Sequence, residues 1–210
     1  MVKIKVCGIT SPADALEAVE AGADALGFNF YAGSPRYIAP EEARRIIVRL
    51  PPSVLCVGVF VNEDNAAAVS RTAERSGVSA VQLHGDESPE YCAALGGHEV
   101  IKALHVGKDF APEEAARYPA RSILLDAYNA RARGGTGETF DWSLARRTRE
   151  VVAQLYLAGG LTPENVVGAL AAVAPYAVDV CSGVELAPGR KDAARVRAFV
   201  AAVRACEKKP

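Results

Sequence analysis

Two glycine-containing turns are the first stretches whose residue types could do chemistry. Gly159 and Gly160 follow one short apolar run, and Ser182 and Gly183 follow the next. Glycine lets the backbone approach a ligand closely, and the free N–H groups at the start of a helix favour an anion. A Thr-Pro pair after the first turn is typical of a helix start. We therefore predict that the two turns together bind a phosphate group, although either could also be a simple connection.

A thiol and a carboxylate at the ends of two other apolar runs could move protons. Cys7 stands just before Gly8 and a helix start at Ser11, where positive potential lowers the pKa of a thiol. An arbitrary cysteine is more often a small core residue, but this position favours a thiolate base. Asp126 follows Ile-Leu-Leu, and a charge there is costly unless it faces a polar cavity. We interpret Asp126 as a catalytic carboxylate, with a cap or a loop contact as the alternative.

Other polar residues near strand ends carry less specific signals. His84 ends a predicted strand and could act at the site, but a bond from its ring to a neighbouring loop is the interpretation that we favour. The Gly-Gly-Thr-Gly stretch at 134–137 lacks the GxxxxGK[ST] arrangement of a P-loop, so it is interpreted as a flexible connection and not as a nucleotide site. The remaining polar residues that end predicted strands are Asn29, Asn62, His105 and Asp179.

The elements that must position these residues alternate between strands and helices. Residues 54–61 are apolar on both alternating faces, as expected for a parallel strand that is covered on both sides. The predicted strands are 2–7, 25–30, 54–61, 80–84, 99–104, 122–126, 155–158 and 177–181. The predicted helices are 11–22, 40–50, 62–77, 88–95, 112–117, 142–152, 163–173 and 193–206, with Asn62 and Thr162 as the caps of two of them.

Eight strand-then-helix units in 210 residues predict the α/β class and a compact (βα)8 TIM barrel with few insertions. We expect one catalytic domain over residues 1–210. A doubly wound sheet is the alternative, but no GxGxxG follows the first strand. The active face of such a barrel is the carboxyl end of its strands, which is where the candidate residues lie.

The composition excludes several classes of partner. The 24 basic and 25 acidic residues are interspersed and give a net charge of −1, so we expect no nucleic-acid partner. The charged start and the lack of a long apolar run predict no signal peptide and no membrane span, and hence a cytoplasmic protein. Five scattered cysteines without a CxxC pair argue against a disulfide framework and against structural zinc.

An ordered set of short motifs runs over residues 3–192. The motifs are residues 5–10 (Lys-Val-Cys-Gly-Ile-Thr), 27–30 (Gly-Phe-Asn-Phe), 34–37 (Ser-Pro-Arg-Tyr), 82–85 (Gln-Leu-His-Gly), Asp126, 134–137, 140–142 (Phe-Asp-Trp), 157–161 (Leu-Ala-Gly-Gly-Leu) and 179–185 (Asp-Val-Cys-Ser-Gly-Val-Glu). This set resembles the phosphoribosylanthranilate isomerase family of tryptophan synthesis. The resemblance implies a (βα)8 barrel and an Amadori rearrangement of N-(5-phosphoribosyl)anthranilate to 1-(2-carboxyphenylamino)-1-deoxyribulose 5-phosphate.

The resemblance also implies roles for individual residues. Cys7 would be the general base, Asp126 the general acid, and Arg36 the partner of the anthranilate carboxylate. The substrate-binding candidates are Gly159, Gly160, Asp179, Ser182 and Gly183. One acid and one base suffice for this rearrangement, so we expect no cofactor and no metal, and a phosphorylated small molecule as the substrate.

At this point the sequence shows two departures from the family pattern, and it leaves open two other functions and the oligomeric state. Glu138 stands where lysine is expected and Cys181 where serine is expected, and the strand order places Cys181 near Cys7. Another phosphosugar barrel, an epimerase or a lyase, would need a lysine or a metal cluster at the strand ends. A non-catalytic barrel that binds a phosphometabolite would not need Cys7 and Asp126. The sequence leaves open whether the chain is a monomer or a homodimer.

Overall fold

Eight parallel strands close into a barrel in the computed structural model, which describes residues 1–107, 110–126 and 142–207. Each strand pairs with the next one in the chain, and the eighth pairs with the first through Lys5 opposite Asp179. The predicted (βα)8 barrel is therefore confirmed, and the doubly wound alternative is wrong because a doubly wound sheet has two free edges.

The described strands and helices follow the predicted order. The barrel strands are β1 (Lys3–Cys7), β2 (Ala25–Asn29), β3 (Leu55–Phe60), β4 (Ala80–Leu83), β5 (Glu99–His105), β6 (Ser122–Asp126), β7 (Gln154–Ala158) and β8 (Ala177–Val180). The α-helices are α1 (Pro12–Ala21), α2 (Pro40–Ile47), α3 (Ala66–Ser76), α4 (Pro89–Ala93), α5 (Trp142–Val151), α6 (Val166–Val173) and α7 (Ala193–Glu207). Short 3₁₀ helices span Pro112–Arg117 and Ser182–Val184. None of the helices in these described ranges is long and apolar enough to cross a lipid bilayer.

Alternation along the strands divides the core into two layers. Side chains that point outward pack under the helices, as Ile4, Val6 and Val180 do. The side chains that point inward fill the barrel centre and are mostly small or branched: Ala25, Val57, Ala80, Ile101, Ala103, Leu124, Tyr156, Ala158 and Ala177. Because this packing fills the middle of the barrel, the polar residues that line the mouth are separated from those at the amino ends of the strands, where Ser122 donates to the Gln154 side chain at 2.9 Å.

The predicted cap at Asn62 is wrong. The cap lies three residues later, at Asn65, whose side chain accepts a hydrogen bond from the Ala68 N–H at 3.0 Å, and α3 begins at Ala66. Asn62 instead has a left-handed backbone with φ of 51°, and its side-chain oxygen accepts from the Asp86 N–H at 2.7 Å. Both asparagines suit a cap in sequence, and the contact with the loop after β4 decides between them.

The predicted helix start at Thr162 is also wrong. Helix α6 begins at Val166, and the intervening residues form turns. Asn165 holds this segment, since its side-chain oxygen accepts from the Thr162 N–H at 2.8 Å and its amide donates to the Gly160 carbonyl at 2.9 Å. The turn after β7 is therefore braced by an asparagine side chain and does not run directly into a helix.

A small antiparallel hairpin follows β8 and was not predicted. Its strands are β9 (Glu185–Ala187) and β10 (Arg190–Lys191), and Gly189 turns between them with φ of 78°. Strands of three and two residues are too short to give a periodicity signal. The hairpin brings Glu185 and Lys191 to the mouth of the barrel.

Candidate active site

A cavity of about 480 Å³ opens at the carboxyl ends of the strands. Its lining includes seven of the eight predicted site residues: Cys7, Arg36, Asp126, Gly159, Gly160, Asp179 and Ser182. The eighth, Gly183, is the next residue in the same turn as Ser182. The structure therefore brings the predicted acid, base and binding groups to one end of the barrel.

Cys7 lies at the end of β1 in surroundings that stabilise a thiolate. A hydrogen bond from the Cys181 thiol lowers the pKa of Cys7 well below its ordinary value; burial opposes this shift, and the charges of Lys5 and Lys191 reinforce it. The neighbouring position on β2 is Gly27, where an added Cβ would stand 2.6 Å from the Cys7 sulfur. Glycine at that position therefore gives the thiol its space.

Cys181 is the partner that keeps its proton. Its hydrogen bond with Cys7 and its own burial raise the pKa of Cys181 above the ordinary value. Its Sγ also lies 3.8 Å from the Glu185 carboxylate, which disfavours a second negative charge. Of the two adjacent thiols, Cys7 is the one that ionises. Cys181 thus points into the cavity beside Cys7, as the strand order indicated.

A buried ion pair joins β1 to β8 directly below the cavity. Lys5 Nζ lies 2.9 Å from Asp179 Oδ2, and the two side chains are 0% and 8% exposed. Burial raises the pKa of Asp179 to about 7, although the Lys5 charge opposes the shift. Asp179 Oδ1 has no hydrogen-bond partner among the residues that the structure describes. Sequence reasoning missed Lys5, whose signal was its place two residues before Cys7 on the same face of β1.

Asp126 ends β6 and contacts the imidazole of His84. His84 Nε2 lies 3.1 Å from Asp126 Oδ2, and the Gln82 amide lies 2.7 Å from the other ring nitrogen. The favoured loop contact of His84 is not what the structure has, since its ring nitrogens contact Gln82 on β4 and Asp126 on β6. His84 is therefore part of the surroundings of the proposed acid.

Arg36 lies in the loop after β2 and is held by Glu185. Its Nε and Nη2 atoms donate to the two carboxylate oxygens at 2.6 to 3.1 Å. Lys191 donates to the same carboxylate at 2.8 Å, so one buried glutamate fixes two cations beside the cavity. Glu185 stood within a family motif, but nothing in the sequence singled out Lys191.

The two predicted phosphate turns pack against each other. Gly159 and Gly160 both have left-handed backbones, with φ of 87° and 65°. A Cβ added at Gly183 would stand 1.9 Å from the Leu161 carbonyl oxygen, so the turn after β8 needs glycine there to reach the turn after β7. The Arg195 guanidinium on α7 donates to the Gly183 carbonyl at 2.8 Å and braces the turn from behind.

Comparison with known proteins decides the family. A profile of N-(5′-phosphoribosyl)anthranilate isomerase matches residues 4–202. The chain belongs to the N-(5′-phosphoribosyl)anthranilate isomerase family. A relative of that name from Trichlorobacter lovleyi is 54% identical over 200 residues, which cover 95% of this chain and 97% of the relative. The expected isomerase of tryptophan biosynthesis is thereby confirmed.

Two solved structures are similar to this isomerase over almost its whole length. One is a phosphoribosyl anthranilate isomerase in complex with reduced 1-(o-carboxyphenylamino)-1-deoxyribulose 5-phosphate, with 46% identity, a TM-score of 0.86 and coverage of 98% of this chain and 100% of that one. The other consists of monomers generated from the dimeric enzyme of Thermotoga maritima, with 43% identity, a TM-score of 0.83 and the same coverage. Of the stretches singled out in the sequence, 134–137, Glu138 and residues 140–141 lie outside the described residues of the isomerase.

Proposed function

We propose that Cys7 is the base and Asp126 the acid with which this isomerase converts N-(5-phosphoribosyl)anthranilate into 1-(2-carboxyphenylamino)-1-deoxyribulose 5-phosphate. The observation that supports these roles is their common cavity. Asp126 ends β6, the two glycine turns follow β7 and β8, and Cys7 ends β1, in that order around the barrel. A phosphate held by the turns lies between the strands that carry the acid and the base.

The proton transfers balance without an external redox partner. The Asp126 carboxyl group protonates the furanose ring oxygen, the bond from C1′ to that oxygen breaks, and a protonated Schiff base forms. The Cys7 thiolate then removes the proton from C2′, and the electron pair of that C–H bond forms the enolamine. In the last step C1′ gains a proton while the C2′ hydroxyl loses one, which gives the amino ketone and returns the Cys7 thiol and the Asp126 carboxylate to their starting protonation states. The product is therefore an isomer of the substrate.

Three groups position the substrate in this proposal. The N–H groups of Gly160, Ser182 and Gly183 bind the phosphate. Arg36 binds the anthranilate carboxylate through the guanidinium edge that Glu185 does not occupy. Asp179 Oδ1, which lacks a partner within the described ranges, accepts a hydrogen bond from a ribose hydroxyl.

Turnover of freshly generated N-(5-phosphoribosyl)anthranilate tests the proposal. We expect the fluorescence of the substrate to fall with multiple turnovers, and inorganic phosphate to compete with it. The assignment of the phosphate turns fails if phosphate does not compete. The catalytic roles fail if the chain binds the substrate without converting it.

The cellular setting of the enzyme is a separate proposal. We place it in the cytoplasm, because a thiolate base beside a second thiol requires a reducing compartment.

We propose a homodimer on the single ground that the 43% identical Thermotoga maritima enzyme is described as dimeric, and sedimentation equilibrium tests it. The assignment of all 210 residues to one domain stays a prediction.

A further inference from the structure

Two imidazoles and a carboxylate meet at the mouth of the barrel. His84 follows β4, while His105 and Asp126 end β5 and β6 and stand opposite each other in the strand register. One ligand atom from each of the three lies within 4.8 Å of the others, and the two imidazole rings are 5.3 Å apart. Three consecutive strands thus supply one compact set of nitrogen and oxygen donors.

The residue behind His84 provides a second, independent observation. Gln82 is 1% exposed, and its side-chain oxygen has no hydrogen-bond partner in the described parts of the chain. Its amide group lies 2.7 Å from His84 Nδ1, and a rotation of 180° about the bond that carries the amide exchanges its nitrogen and oxygen at that position. After this rotation the Gln82 side-chain oxygen has a partner, because the oxygen then accepts a hydrogen bond from the Nδ1–H of His84.

In that arrangement the other nitrogen of His84 presents a lone pair to Asp126 Oδ2 at 3.1 Å, and two acceptors this close repel each other unless a proton or a cation lies between them. An imidazole that donates one N–H to a buried oxygen and presents its other nitrogen outward is the usual form of a metal-ligating histidine. Gln82 therefore supports His84 in the orientation that a metal ion requires.

The donor set indicates which metal would bind. Two imidazoles and a carboxylate suit Zn²⁺ and similar transition metals, whereas Mg²⁺ and Ca²⁺ prefer oxygen donors alone. Ligands on tetrahedral zinc lie roughly 3.4 Å apart, given metal–ligand distances of about 2.0–2.1 Å. His105 is exposed, so its side chain can rotate to close the remaining gap, and the ion can enter from solvent.

We propose that His84, His105 and Asp126 bind a divalent transition-metal ion such as Zn²⁺, and that the bound ion reversibly inhibits the isomerase. The ion occupies the lone pairs of Asp126, so this carboxyl group can no longer carry the proton for the furanose oxygen. Binding follows from the donor geometry alone, whereas inhibition rests on the proposed role of Asp126.

Cobalt and zinc titrations of the whole protein test the site. Co²⁺ bound to nitrogen and oxygen donors gives visible d–d bands without the near-ultraviolet charge-transfer bands of a cobalt thiolate, which separates this site from Cys7 and Cys181. We expect His105→Gln to weaken metal binding at least about tenfold and to remove zinc inhibition. His98→Gln is the matched control, since His98 precedes β5 at the opposite end of that strand and contacts Ser70. A chelator should restore the activity of the wild-type enzyme.

Three outcomes are decisive. Unchanged metal affinity in His105→Gln would overturn the proposed site, and so would charge-transfer bands that disappear in Cys181→Ser. Metal binding that depends on His105 but leaves turnover intact would support the site, overturn its inhibitory effect and count against the role of Asp126.

Discussion

At the scale of single residues, the protonation state of Cys7 depends on its neighbours. The Cys181 thiol donates to it, and the Lys5 and Lys191 charges favour the thiolate. A serine hydroxyl at position 181, which the family pattern leads one to expect, could donate a similar hydrogen bond. Lys5 could have been found from the sequence, since it lies two residues before Cys7 on the same face of β1. The contributions of Cys181 and Lys191 could not, because both follow β8 and approach Cys7 only when that strand closes against β1.

Replacing Cys181 with alanine should raise the pKa of Cys7 by removing the thiol hydrogen bond. The base acts as a thiolate, so activity is lost as the pH falls through the pKa of Cys7. A raised pKa moves this acid limb of the kcat/KM profile to higher pH. Cys206→Ala is the control, since Cys206 lies on α7 and does not line the cavity. An acid limb at the same pH in Cys181→Ala would show that the second thiol does not tune Cys7.

Replacing Arg36 with alanine should weaken the binding of the substrate carboxylate. A hydrogen bond to a charged group contributes about 1.5–3 kcal/mol, which corresponds to a KM increase of roughly 10–100-fold. Inhibition by inorganic phosphate should change little, because phosphate lacks the carboxylate. Arg75→Ala, which removes an exposed arginine paired with Glu41, is the control. Equal weakening of substrate and phosphate would place Arg36 at the phosphate group instead.

At the scale of elements, strand positions were predicted well and helix starts less well. Residues 122–126 form β6 with the predicted bounds, because a buried parallel strand is apolar on both faces and ends at its polar residue. The starts of α3 and α6 were misplaced, because Asn62 bonds the loop after β4 and leaves the cap to Asn65, and because Asn165 bonds the turn after β7. The hairpin that carries Glu185 was missed because its strands are too short for periodicity.

The turn at Gly183 gives the prediction at this scale. Gly183→Ala should lower the free energy of unfolding by about 1–3 kcal/mol, as overpacking does, because its Cβ would meet the Leu161 carbonyl oxygen at 1.9 Å. The forced shift of the turn should also weaken phosphate inhibition. Gly97→Ala is the control, since a Cβ there has no atom within 4 Å. Urea denaturation checks the first effect and phosphate competition the second. Wild-type values for both would show that the two turns are not closely packed in solution.

At the scale of the whole molecule, the closed barrel converts positions distant in the chain into one site. Closure places β8 beside β1, so the Lys5 pair with Asp179 and the contact of Cys7 with Cys181 cross the same seam. The glycine turns lie between that seam and Asp126 on β6. Motif order in the sequence indicated which residues gather at the mouth, but their distances and protonation states required the closed structure.

The turnover numbers of Cys7→Ser and Asp126→Asn test the central proposal most directly. A general acid or base contributes typically about 10²–10⁴-fold, so each substitution should lower kcat at least about 100-fold while inorganic phosphate still competes for the site. Cys206→Ser, a thiol substitution outside the cavity lining, should retain wild-type kcat. A near-wild-type kcat in either Cys7→Ser or Asp126→Asn would contradict the role proposed for that residue.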